Sequence, residues 1–169
     1  EGNPLCVSTD HLVSVFKLIH KYFEVEYISM FARATDVLRK SDEELLKLKE
    51  LGMDRLCLGL ESGSDEVLSF HKKGHTAHDS VLATRKLDRL GINYSAYFML
   101  GLGGREMTMS HRRETAKLLN EIHPFEVVFV TTVIFKRAPL KDYVRDKSFL
   151  RMSVKEILEE EIYIIENLN

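Results

Sequence analysis

The chain has 169 residues, 44% of them hydrophobic and 30% charged, with a formal net charge of -2. That is about one domain's length, apolar enough for a sizeable core, and it excludes a disordered chain. The near-neutral balance gives no nucleic-acid signal, no apolar stretch nears the roughly eighteen residues needed to cross a bilayer, and two cysteines exclude a disulfide framework.

In chain order, STDHLVSVFKLIHKYF offers Ser8, Thr9 and Asp10 as caps, followed by Leu12, Val15, Phe16, Ile19 and Phe23 at helical spacing. VEYISMFA, residues 25–32, is strand-like. SDEELLKLKELG supplies a capping box, Ser41 with Glu44, and a terminal Gly52. RLCLGL then reads as a strand leading into one helix from about Ser64 and a second from about Thr76 to Leu90, closed by Gly91. NYSAYFML leads through GLGGRE into the helix SHRRETAKLLNEI. Finally EVVFVTTVIF runs to APLKDYV, and a second capping box, Ser153 with Glu156, opens a helix ending near Leu168.

Four strands thus alternate with helices at a spacing of roughly 30 to 40 residues, the signature of βαβ units and a parallel sheet. Their apolar runs suit strands covered on both faces. A closed eight-stranded barrel takes about 250 residues, so the expected α/β fold is a single domain, 1–169, forming an open, partial (β/α) barrel. The sequence starts at Glu1 and enters ordered-looking sequence at once, so an N-terminally truncated fragment is expected. Nothing resembles a signal peptide, and a cytoplasmic protein is expected.

In such folds ligands gather at the carboxyl ends of the strands. Arg33 stands at one such end, Glu61 with Ser62, Gly63 and Ser64 at the next, and GLGGRE at a third. Glu61 can meet a ligand or cap the helix that follows, a duty open also to Ser62, Ser64 and Asp65. Arg33 can pair with Glu61 or Asp36 as scaffold. Lys73 alone reads as a solvated lysine, and GLGGRE, without phosphate-loop spacing, suits either a tight turn or ligand contact. His71, His75 and His78 have a spacing that zinc can use, yet Gly74 interrupts any helix through them, so loop and cap roles are preferred and no metal ligand is assigned. Cys57 reads as a small buried hydrophobe, and Met30, Phe31, Phe98, Met99 and Phe129 as core.

Taken in order, EGNPL, ISMFAR, GLESGSDEVL with KKGHT, SAYFMLGLGGRE with H-x2-ETA-x2-LN, and APL before EILEE run along essentially the whole chain. This ordered set resembles the radical S-adenosylmethionine (radical SAM) superfamily, nearest to the group sharing a domain with the oxygen-independent coproporphyrinogen oxidases and the Elongator catalytic subunit. The resemblance implies a partial (β/α)6 barrel in which a 4Fe-4S cluster binds the amino and carboxylate groups of S-adenosylmethionine. Electron transfer from the cluster then cleaves the sulfonium to a 5'-deoxyadenosyl radical.

By the same resemblance, Gly2 and Asn3 match the turn that receives the methionyl amino group, and Arg33 lies near the ribose and methionyl part. Glu61 and Ser62 match the strand end that touches the cofactor, and Lys73 the basic residue pairing with the methionyl carboxylate. Gly101 with Leu102, and Val133 with Ile134, match segments on the two sides of adenine. The chemistry agrees: hydroxyls and an ammonium want acceptors, a carboxylate wants a cation, and a base wants an apolar slot. Glu61, Lys73 and the GLGG turn offer one of each.

Three departures stand out. The cluster motif C-x3-C-x2-C is not in this sequence, and Cys6 and Cys57 are too few to replace it. FKRAPL stands where relatives often have Pro-Gly-Thr-Pro, and EGN where other groups have Gly-Gly-Glu. The expectation is therefore part of a radical SAM enzyme whose cluster comes from an upstream segment, inactive as this chain alone. An unspecified small-molecule or macromolecular substrate and an electron donor would be its partners. Beside it stand a non-catalytic adenosyl-ligand-binding or scaffold domain and a metal-dependent α/β hydrolase using the histidines.

Overall fold

A computed structural model describes residues 2–169. After a 3-10 turn, Pro4–Cys6, the Ser8 hydroxyl accepts the His11 N–H and opens helix α1, Thr9–Tyr22, whose Leu12, Val13 and Phe16 turn inward. Strand β1, Ile28–Ala32, begins later than the apolar run suggests, because pairing starts only at Ile28 opposite Met53. A short helix that the sequence did not announce, α2 at Ala34–Arg39, follows directly. In α3, Asp42–Glu50, the expected capping box forms in both directions between Ser41 and Glu44.

Next come β2, Met53–Glu61, α4, Asp65–Phe70, α5, Ala77–Leu90, and β3, Asn93–Leu100. Helix α6, Gly104–Leu119, begins inside the GLGG turn, earlier than Ser110 where its polar face becomes legible. Strand β4, Glu126–Thr131, is shorter than the run to Phe135. Its neighbour gives the reason: the Thr132 N–H bonds to the last carbonyl of β3, Leu100, and Gly101 then turns that chain away at φ 73. Helices α7, Leu140–Arg145, and α8, Val154–Glu166, complete the chain, the latter with the expected box between Ser153 and Glu156.

The four strands form one parallel sheet in the order β1-β2-β3-β4. The chain divides into two compact units. The first takes in the stretch up to Leu60, His78–Tyr97 and Ile122–Val128. Its core holds Leu45, Leu48, Leu56, Leu58 and Leu87, all fully buried. The apolar runs suggested cover on both sheet faces, but Arg55, Cys57 and Tyr97 between the buried positions are only half-buried, and Phe31 is 45% exposed. Period-two alternation explains the difference, since Leu56, Leu58 and Leu60 share one face and Cys57 the other. Cys57 is therefore a half-buried free thiol, not a core residue, and Phe31 is a surface ring packed edge-on against Tyr97.

The second unit takes in Glu61–Ala77, Phe98–Glu121 and Phe129–Asn169. It holds α4, α6, α7 and α8 around Leu68, Phe98, Phe149 and Ile164. No helix among the described residues is long and apolar enough to cross a membrane.

Candidate functional site

In the first unit, Gly2 has φ 150 and Asn3 precedes the 3-10 turn. The Asn3 side-chain N–H donates to Asp36 at 2.5 Å, while its Oδ1 is buried and has no hydrogen-bond partner. Asp36 is itself buried near the start of α2 and also accepts from Arg39. Arg33 is exposed at the N-cap position of α2 and makes no side-chain cap bond there.

The second unit gathers more. Glu61 ends β2 at φ 65, a left-handed conformation that a residue with a side chain adopts only at a cost. It does not cap α4. Ser64 takes that duty, its hydroxyl accepting the Val67 N–H, and Asp65 accepts the Ala77 N–H at the start of α5. Glu61 pairs instead with Lys73, beyond α4, so that lysine is no freely solvated side chain.

Ser62 is fully buried, its Oγ 2.7 Å from His111 Nδ1 and accepting the Ser64 N–H at 2.9 Å. Gly63 is held by an N–H bond to Thr115 Oγ1, and a Cβ there would lie 2.1 Å from the Glu114 carbonyl oxygen. Only glycine lets these two backbones approach so closely.

His71 donates from Nε2 to the Leu102 carbonyl at 2.7 Å. Burial lowers its pKa first of all, and the nearby Lys73 adds to the fall, while that hydrogen bond and Glu61 oppose it. Leu102 is buried. Gly101, Val133 and Ile134 line a cleft of about 230 Å3 together with Thr132, Arg151 and Met152. Thr132 Oγ1 is buried with no hydrogen-bond partner.

The sequence reading missed two groups, His111 and Glu160, both completely buried. Glu160 Oε1 accepts the Gly101 N–H at 2.7 Å, and its Oε2 accepts the Thr108 hydroxyl at 2.7 Å. A signal existed: Glu160 sits in phase with Ile157 and Ile164 on the inward stripe of α8, where an acid is out of place.

Among the described residues no three His, Cys, Asp or Glu side chains come together to hold a metal, and Cys6 and Cys57 are free. The residues present do not fit a 4Fe-4S cluster, and the histidine spacing does not make a zinc centre.

The family described as "Radical SAM superfamily" matches residues 2–119. The tRNA uridine(34) acetyltransferase of Methanocaldococcus jannaschii is 34% identical over 71 residues, which are 42% of this chain and 13% of that protein. Among solved structures, an N-terminally truncated archaeal Elp3 from Methanocaldococcus infernus aligns with a TM-score of 0.69 at 22% identity, covering 82% of this chain and 32% of its own. Coproporphyrinogen III oxidase from Escherichia coli, described as a radical SAM enzyme, aligns with a TM-score of 0.75 at 16% identity, covering 98% of this chain and 39% of its own. These likenesses establish the fold, and the chain spans less than half the length of each of these three proteins.

Proposed function

We propose, since this chain belongs to the radical SAM superfamily, that it supplies S-adenosylmethionine-binding residues to a radical SAM enzyme. The observation that carries the reading is the Glu61–Lys73 pair: a carboxylate held in a strained conformation at a strand end, with no capping role, and a cation brought to it. Strained residues cluster at ligand sites, which supports the reading.

The remaining donors fit the cofactor in kind. Lys73 offers a cation to a carboxylate, and Glu61 an acceptor to hydroxyl or ammonium groups. The cleft beside Gly101, Val133 and Ile134 offers apolar walls and one unpartnered hydroxyl, Thr132 Oγ1, to a heterocyclic base. In the first unit, taken by itself, Asn3 Oδ1 is a buried acceptor without a donor, and Gly2 and Arg33 are the other candidates there. When bound beside a 4Fe-4S cluster, S-adenosylmethionine supplies a sulfonium whose carbon–sulfur bond accepts one electron. The cluster ligands are not among these residues, so the contribution assigned to this chain is to bind and orient the cofactor.

The relative from M. jannaschii is named for a tRNA uridine, which makes tRNA the first substrate to assay. The reading is tested by titrating S-adenosylmethionine into full-length protein reconstituted with iron and sulfide under anaerobic conditions. Saturable binding that Glu61→Ala and Lys73→Ala each weaken supports the site. Equal affinity in parent and both variants overturns it.

A further inference from the structure

We infer that Glu160 is a positioning residue for the candidate site, setting the Gly101 turn through one carboxylate oxygen and holding that turn to α6 at Thr108 through the other. The inference rests on the reading that Glu61 and Gly101 belong to a cofactor site.

A carboxylate at 0% exposure is expensive to keep in a protein interior unless hydrogen bonds satisfy it. Glu160 has two, from the Gly101 N–H and the Thr108 hydroxyl, each 2.7 Å long. Its Oε1 also stands 3.6 Å from His111 Nε2. That nitrogen donates to the Met99 carbonyl at 3.0 Å, which leaves Nδ1 as an acceptor for the Ser62 hydroxyl at 2.7 Å. Ser62 in turn accepts the Ser64 N–H. Hydrogen bonds thus tie α8 to the turn after β3 and to α6 through Glu160, and α6 to the ends of β2 and β3 through His111, all inside the second unit.

Packing alone does not call for this arrangement. Position 160 lies in phase with Ile157 and Ile164, and an apolar side chain there would fill the core with no charge to desolvate. What only an acceptor provides is a partner for the Gly101 N–H, at the turn where φ is 73. From that turn Leu102 presents its carbonyl to His71, two residues before Lys73. Glu160 therefore acts on the cofactor residues from behind, without touching a ligand. A further consequence is that the Gly101 N–H is already spent, so polar recognition in the cleft falls to the Thr132 hydroxyl and Arg151, between apolar walls that include Val133 and Ile134.

Two measurements on the full-length protein test this: residue-resolved amide hydrogen exchange, and the affinity for S-adenosylhomocysteine. Glu160→Gln keeps an oxygen for Gly101 and an amide for Thr108, whereas Glu160→Leu keeps neither. In Glu160→Leu, exchange at Gly101 should rise about tenfold and affinity should fall about tenfold, as expected for a lost hydrogen bond to a charged group. Exchange in β1 and β2 should stay put, and Glu160→Gln should stay within about threefold of the parent in both measurements. If Glu160→Leu does not fold, Glu160→Asp withdraws the carboxylate by one methylene and should give the same local rise. Unchanged exchange at Gly101, or an even rise across both units, overturns the inference. A parent protein that fails to bind the probe, with Gly101 exchange still dependent on Glu160, overturns the cofactor reading and leaves the network standing.

Discussion

Lys73 closes the chain back onto Glu61: the ammonium meets Oε2 of the residue that ends β2, and both side chains are about a quarter exposed, at 25% and 24%. Ion pairs this accessible contribute about 0 to 1 kcal/mol to stability, so the pair is a poor explanation for the left-handed backbone at Glu61. If Glu61 binds the cofactor as proposed, stability and binding pull in opposite directions at this residue.

Glu61→Gly is the sharpest variant of this position. Glycine adopts φ 65 freely, so the change should hold or raise stability within about 1 kcal/mol although it deletes an ion pair. S-adenosylmethionine affinity should fall about tenfold, the usual scale for one lost charge-assisted contact. Urea unfolding and calorimetric titration of the same preparation check both; a parallel loss of stability and affinity would assign Glu61 to the scaffold.

Gly63→Ala tests the approach of α4's entry to α6. Its Cβ would stand 2.1 Å from a backbone oxygen of Glu114, so helix or loop must move. A loss of about 3 kcal/mol, or failure to fold, is expected. An unchanged urea midpoint would mean that the two backbones have room to part.

Acid should weaken the second unit through its histidines. Burial lowers the pKa of both His71 and His111 below the ordinary value. The unfolded state then binds protons first, so stability is full above about pH 6.5 and falls as pH drops from there toward the folded values. Glu160 opposes the shift at His111 and Glu61 that at His71. Urea midpoints between pH 7.5 and 5 should decline, and His111→Gln should flatten part of that slope.

Alkali should act on the first unit through Tyr94. Burial, with help from Asp88, raises its phenol to about 12, and the His123 N–H donates to its oxygen at 2.9 Å. A raised acid contributes stability that is complete below about pH 10 and is lost as pH climbs through the folded value. Phenolate absorbance should show late-titrating tyrosine, since burial raises Tyr97 as well, and one equivalent of it should be missing in Tyr94→Phe.

The strands and long helices were legible because apolar period and capping chemistry agreed, as at Ser41 with Glu44 and Ser153 with Glu156. Helix α2 was not, since six residues are too few to display a 3.6-residue period. The end of β4 was hidden for another reason: Val133 and Phe135 continue an apolar run, and only the loss of a neighbour at Gly101 stops the strand. Glu61 and Lys73 could each be singled out from sequence, but not as partners, because the turns around α4 decide that they meet. His111 and Glu160 lay in apolar phase in plain view, yet a polar residue in such a phase declares its partners only once the helices are packed.

The order of the sheet has a last consequence, for handling the molecule. Among the described residues β1 and β4 are the outermost strands, and β4 displays Val127 and Val130 with Phe125 at its start. An open strand edge of this kind is a template for a second chain, and charges beside it act as gatekeepers. Glu126 opens β4 but is engaged by Arg55 and Ser95, and Lys136 and Arg137 lie several residues past its end, too late along the chain to guard its middle. Concentrated solutions of these residues alone should therefore scatter light through edge-to-edge association, and Val130→Lys should delay it.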